Sequence, residues 1–478
     1  MTAIVASVVF LLYRIYQYGT FRQYMPAGLT VAGVNVGGLA RDEAGELIRS
    51  RYQADVVIYH GEESVAINPA DDAEFKLELE SMLRQADYQR DQQDFWAGFW
   101  GFLWNRPVEV EMVELQATHD PEQLRRTLET IASSFDQPAQ PPQPVPASLS
   151  FQYGEPGVQT NISASIGEVV SALYRPTGRE AHLTLGPVQP ERPDMNLLAR
   201  LLVNHLDNNR FDGVASIFIM DLASAQEVRI EAKAAMSGID LLRVPVALDA
   251  YRFIDGPPTL TQRRLISETL LTAESNGPIS LLNVVAGQDN PYQGAKIVTE
   301  SMWRLGLKNT FVAIPFGAPL VPGRQTYETP ANSIGDGLTN PDTAMQTTAE
   351  DMGALLAMLY YCAQNGGGPL RAAYPDSITQ AECQQILEMM QQNKIGSLIE
   401  EGVPAEVAIA HRHGWVGDTH ADAGIVYSPG GDYILVQIFY HEDWLPWEES
   451  SPLIADISRA TYNYFNFDDP YLDSSRVN

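Results

Sequence analysis

A chain of 478 residues with 45% hydrophobic side chains is too long for one ordinary core and too apolar for extended disorder, so two or three folded domains are expected. A formal net charge of -29, from 60 acidic against 31 basic residues, repels other polyanions and argues against nucleic acid and anionic wall polymers as partners. The two cysteines, Cys362 and Cys383, make no metal motif, and no zincin pattern is present.

The chain opens on an apolar run, Thr2 to Tyr13, followed by Tyr13, Tyr16, Tyr18, Phe21 and Tyr24, an aromatic flank of the kind found where a helix leaves a bilayer. Residues 1–24 are therefore read as a signal anchor or transmembrane helix. The uncharged run ends at Arg14, short of the roughly 20 residues a span prefers, so Arg14 would have to snorkel. Read literally, Arg14 and Arg22 would keep the body in the cytoplasm. The domains that follow point the other way, to a single-pass protein of the cell membrane with its bulk outside.

From Leu29 to Leu39 the chain alternates like a short strand, turns at Gly37-Gly38 and enters a helix at Ala40 to Ile48. The Pro26-Ala-Gly-Leu-Thr-Val-Ala-Gly-Val opening and Val36-Gly-Gly-Leu39 resemble the start of the peptidoglycan-binding type of domain found beside vancomycin-resistance-type proteins. That resemblance implies a wall-associated α+β module over 25–136 but carries no defined binding residues. Within it, Val56–Tyr59 and Val108–Met112 read as strands, and Pro121 to Phe135 reads as a helix capped by Asp120. A proline-rich stretch, 137–147, reads as a stiff linker. A second small α+β module follows over 148–195, with strands at 148–153 and 181–185 and a helix at 166–174.

Trp96, Trp100 and Trp104 recur every four residues and would form one ridge on a helix. Such a ridge stacks on sugars, lies on a membrane surface, or packs the core of the small domain; the last is the expected role, aromatic rings being large core contributors.

Beyond residue 196 the predicted order is a helix (196–208), a hairpin (213–222 and 227–230), an apolar helix ending near Ile254, helices between 260 and 287, and a helix from Thr348 to Gln364. Strands at 407–415, 423–427 and 433–440 and a closing helix at 453–464 complete an antiparallel sheet flanked by helices, with a helical subdomain. The fold class is α+β throughout.

Three segments here, Met236 to Val246, Glu274-Ser275-Asn276 and Arg412-His413-Gly414, resemble the motifs of serine β-lactamases and penicillin-binding DD-peptidases. Met236-Ser-Gly-Ile-Asp-Leu-Leu-Arg-Val-Pro-Val246 matches the nucleophile helix, where the family reads Ser-x-x-Lys; Asp240 stands at the serine and Arg243 at the lysine. Glu274-Ser275-Asn276 falls at the Ser-Asp-Asn loop and keeps only the asparagine. Arg412-His413-Gly414, followed by Asp422-Ala-Gly-Ile-Val-Tyr427-Ser-Pro-Gly-Gly431, matches the Lys-Thr-Gly strand, with Arg412 keeping the cation. Glu328-Thr-Pro-Ala-Asn332 has the spacing of the deacylation glutamate loop, although so short a pattern also arises by chance. The resemblance implies that Asn276 and Arg412 hold a ligand carboxylate, which arginine would grip with two parallel bonds. His411 and His413 share a strand face with His420 close by, yet no carboxylate or cysteine is spaced to complete a metal site; neither a metal nor a cofactor is expected.

The chemistry of the substitutions decides the reading. A serine attacks when a neighbouring base takes its proton, and arginine, with a pKa above about 12, cannot be that base. Asp240 has no hydroxyl, and at i,i+3 spacing it pairs with Arg243. Losing nucleophile and base together typically removes a factor of about 10⁶ from turnover. The expected protein is thus a catalytically inactive, cell-wall-associated binding or scaffolding module over 196–478, meeting peptidoglycan or its stem peptides. The alternative is an active hydrolase of β-lactams or peptidoglycan peptides with a displaced nucleophile such as Ser237 or Ser275, or a reaction centred on Asp240. Cys362 and Cys383, on neighbouring helices, are either a disulfide, if the chain is exported, or two buried thiols.

Overall fold

The computed structural model describes residues 2–92, 94–104, 106, 111–319, 327–333 and 337–472. The chain divides into two compact units, Met1–Gln140 with Glu155–Pro190, and Pro141–Gly154 with Glu191–Asn478.

In the first unit, strand Val56–His60 pairs antiparallel with Glu63–Ile67 and parallel with Glu180–His182. Val56 and Ile58 point inward with Ile48, Leu83, Leu128 and Val169 to form one core. The helices start where capping side chains stop the extended chain: Asp120 accepts from the amides of Glu122 and Gln123 ahead of Pro121–Phe135, and Asn161 accepts from Ala164 ahead of Ile162–Leu173. Because Glu180–His182 joins the sheet of residues 56–67, the stretch 148–195 is not a separate module. Its strand and helix finish the first unit, while Ser150–Gln152 pairs with Gln143–Val145 inside the second. The proline-rich stretch is accordingly structured: it carries Gln143–Val145, and Gln137 bridges to Val158. Proline fits there because the strand is short and has only one partner. The expected strand at Val108–Met112 lies largely outside the described residues. Leu29–Leu39 is a two-residue hairpin, Thr30–Val31 with Val34–Asn35, rather than one strand; Gly33 at φ +75° makes its turn.

Thr2–Phe21 is helical. No helix among the described residues is long and apolar enough to cross a membrane, so the expected transmembrane helix is not found.

The second unit is built on a five-stranded antiparallel sheet in the spatial order Glu227–Ile230, Val214–Asp221, Gly431–Tyr440, Thr419–Ser428, Ala408–Trp415. Side chains alternate across it. Phe218, Ala423, Ile425, Val436 and Ile438 face a helical layer containing Arg243–Phe253, Leu260–Leu271, Asn276–Ala286 and Ala349–Asn365. Ile217, Ile219, Tyr433, Leu435 and Phe439 face Met195–Asn208 and Trp447–Phe465. The closing helix starts six residues earlier than the sequence suggests and runs through Pro452. Burial of that helix against the sheet outweighs the backbone bond the proline forfeits. Leu149 and Phe151, from the detached segment, pack into this second face. Cys362 and Cys383 are joined as a disulfide, with Cα atoms 6.0 Å apart.

Candidate functional site

Asp240 lies in a short 3-10 turn, Ile239–Leu242, that leads directly into the helix Arg243–Phe253. A carboxylate is favoured there by the amides at a helix start. Ile239, just before it, has φ +39°; for a β-branched residue such a conformation costs on the order of 1–3 kcal/mol. A strained turn therefore presents Asp240.

Both oxygens of Asp240 are taken. Arg243 donates its Nε–H to Oδ1 at 2.6 Å, and Arg412 donates from Nη2 to Oδ2 at 2.6 Å. Other guanidinium donors turn to the carbonyls that end the helix Leu260–Leu271 and begin the next loop, while Nε of Arg412 is buried without a hydrogen-bond partner among the described residues. Arg243 reaches the carbonyls of Glu274 (2.7 Å) and Ala273 (2.8 Å); Arg412 reaches those of Leu270 (3.1 Å) and Thr272 (2.8 Å). Cations are favoured at such a carbonyl-rich helix end. Arg243 also lies over the ring of Phe316 at 5.2 Å. Arg412 and Arg243 are 1% and 2% exposed, and burial, opposed by Asp240 and reinforced by Arg243, lowers the Arg412 pKa.

Here the Arg412 guanidinium, expected to meet a ligand carboxylate, is bonded to an internal one, Asp240. Gly414 is the other half of the closure, since a Cβ there would sit 2.7 Å from Cβ of Asp240, so the strand Ala408–Trp415 can approach only because residue 414 has no side chain.

The loop 273–276 contributes backbone rather than side chains. Glu274 and Asn276 are exposed, and Asn276 begins a helix. Ser275 lies beside Gly317, where an added Cβ would be 3.0 Å from its Oγ. Ser237, the other candidate nucleophile, is 5% exposed and its Oγ accepts from the amide of Asp342 at 2.9 Å. Glu328 is not brought to Asp240: it is exposed and lines a different cleft of ≈ 710 Å³ with Lys233, Asn332, Asp342 and Gln346.

On the opposite strand face, His411 and His413 have separate partners. His411 Nδ1 is 2.9 Å from Asp422, and its Nε2 is 3.2 Å from the carbonyl oxygen of Asn393. Burial works against its charge, but Asp422 and Glu400 together raise its pKa. His413 Nδ1 is 3.1 Å from the Asn393 amide nitrogen; burial chiefly pushes its pKa down to about 4. His420 pairs with Ser450 at 2.5 Å. Among the described residues no group of three or more His, Cys, Asp or Glu is arranged to hold a metal. The Asp240–Arg243 pair was legible from its spacing. The Arg412–Asp240 bond was not, because it joins residues far apart in the chain. Asp422 could have been found by drawing the hairpin in register, which sets it opposite His413 and diagonal to His411.

A five-stranded antiparallel sheet with a helical layer on one face and an ion-locked motif helix beneath its edge strand defines the carboxy-terminal unit as β-lactamase-like. Residues 292–465 match the β-lactamase enzyme family, a stretch that holds Arg412, His413 and Gly414 but begins after Asp240 and Glu274. No curated protein matches the chain. Among solved structures it is similar to PBP-A at 14% identity, over 58% of this chain and 99% of that one, with a TM-score of 0.42. A β-lactamase from Sphaerobacter thermophilus is also similar at 14% identity, over 58% and 100% with a TM-score of 0.44. A third, from Xanthomonas campestris, has 14% identity over 55% and 97%, with a TM-score of 0.41.

Proposed function

We propose that this is a membrane-anchored, extracytoplasmic protein whose β-lactamase-like unit is catalytically inactive and serves as a cell-wall-associated binding or scaffolding module. The observation that carries the proposal is the occupancy of Asp240: two buried arginines hold both its oxygens where a serine and a lysine would have to work. No proton can pass from a residue without a hydroxyl to a base that is always protonated. The disulfide supports export, since disulfides persist in oxidising compartments, and the resemblance at residues 26–39 supports peptidoglycan as the partner of the amino-terminal unit.

The test is covalent labelling of the full chain with a penicillin and with a fluorophosphonate, read by intact-protein mass spectrometry. No adduct is expected. Asp240→Ser, which supplies a hydroxyl beside Arg243, is also expected to stay unlabelled because the base is still missing. A stoichiometric adduct on the unmodified chain, lost in Ser237→Ala or Ser275→Ala, would establish the hydrolase alternative instead.

A further inference from the structure

The tryptophan ridge does not pack the core. Phe95–Leu103 is a nine-residue helix, FWAGFWGFL, without one polar side chain. Trp96, Trp100 and Trp104 at its end are 56%, 49% and 69% exposed, while Phe99 on the other side is 1% exposed. The buried side packs on the amino-terminal helix. The ring of Tyr18 lies 5.3 Å from Phe95, 5.8 Å from Phe99 and 5.5 Å from Phe102, with Phe21 5.3 Å from Phe102. Gly98 permits this approach, since a Cβ there would collide with the hydroxyl of Tyr18. From Ala6 to Tyr13 every side chain of the amino-terminal helix is exposed, Val9, Phe10 and Leu12 each by about three-fifths.

We propose that these two helices form one lipid-seating surface, with Thr2–Tyr13 entering a single leaflet and Trp96, Trp100 and Trp104 lying at its headgroup boundary. The inference rests on the reading of the amino terminus as a membrane contact and adds a second helix to it. A docked protein or a second copy buries one stripe and leaves the opposite side in water. A segment apolar on all sides is satisfied only by a surrounding apolar solvent. Depth follows from the contacts. Tyr18 holds the tryptophan helix at the aromatic end of the apolar run, beyond Tyr13, where indole and phenol rings prefer the boundary between hydrocarbon and water. Thr2 to Tyr13 rises roughly 18 Å at about 1.5 Å per residue, more than half of a hydrocarbon core of about 30 Å, so one leaflet suffices. Arg14 and Arg22 lie against the rings of Phe102 and Phe95 at 4.9 Å and 5.7 Å, a position from which their charged ends reach the headgroups.

The experiment uses the full chain with phosphatidylcholine–phosphatidylglycerol vesicles whose acyl chains carry bromine at shallow or deep positions. Co-sedimentation is expected, with tryptophan emission quenched more by shallow than by deep bromine. The triple variant Trp96→Phe, Trp100→Phe, Trp104→Phe should still sediment but lose the part of that quenching which these three of the seven tryptophans contribute. A triple change to serine should weaken partitioning by about tenfold or more. Sedimentation with quenching unaltered by the phenylalanine variant would overturn the second helix and leave the amino-terminal contact standing. A full chain that does not sediment overturns both. A concentration-dependent dimer abolished by the serine variant, with no lipid quenching, assigns the ridge to a second copy.

Discussion

Two histidines two residues apart titrate in opposite senses because their surroundings differ. Burial pushes the His413 pKa down to about 4, so the folded chain resists the proton that the unfolded chain takes up near pH 6.5. The stability linked to neutral His413 is therefore complete above about pH 6.5 and is lost as pH falls toward 4. At about 1.4 kcal/mol per pH unit the loss approaches about 3 kcal/mol. His411, whose pKa Asp422 and Glu400 raise, works the other way: its contribution is full below the unfolded value and fades as pH rises through the folded one. Replacing His413 by glutamine removes the first effect only. Urea titrations of the carboxy-terminal unit between pH 7 and pH 4 should show the variant losing less stability on acidification than the parent. Parallel curves would refute this account of His413.

At the scale of elements, the helical layer is held by more than packing. The helices Ala349–Asn365 and Gln380–Met390 are joined by Cys362–Cys383, which closes a loop of 21 residues in sequence separation. Chain entropy alone assigns such a crosslink about 3 kcal/mol. Both cysteines are fully buried, so Cys362→Ala with Cys383→Ala should cost that amount plus a small packing loss while leaving the fold intact. Denaturant unfolding with and without reductant measures it. A peptide map showing two free thiols in protein from an oxidising compartment would remove the crosslink from the account. The edge strand Ala408–Trp415 illustrates a different coupling: Gly414 lets it close on Asp240, and Arg412, pointing to the same face two residues earlier, locks the motif helix to it.

Across the whole molecule the chain crosses between its two units more than once. Residues 141–154 leave the first unit, lay Leu149 and Phe151 into the core of the second, and return before Glu155. Asn463 donates from Nδ2 to the carbonyl of Leu149 at 2.9 Å, which fixes the segment on the closing helix. Phe151→Ala should therefore destabilise the carboxy-terminal unit, by about 3–5 kcal/mol if the site stays open. Hydrogen exchange should accelerate in the sheet Val214–Tyr440 and not in strand Val56–His60. Acceleration confined to the first unit would contradict this assignment of the segment.

Capping residues, strand alternation and the i,i+3 pair of Asp240 with Arg243 are local, so the sequence by itself determined most helices, the last three strands and the ion pair at positions 240 and 243. Three features depended on residues distant in the chain. The second arginine on Asp240 comes from a strand whose approach requires Gly414. The place of 141–154 in the second unit is decided by which core has room for Leu149 and Phe151. The direction of the tryptophan ridge was settled by Tyr18, which claims the Phe99 side of that helix and leaves the tryptophans outside. Periodicity says which side chains share a face, but only the neighbours that compete to cover it decide whether that face is buried.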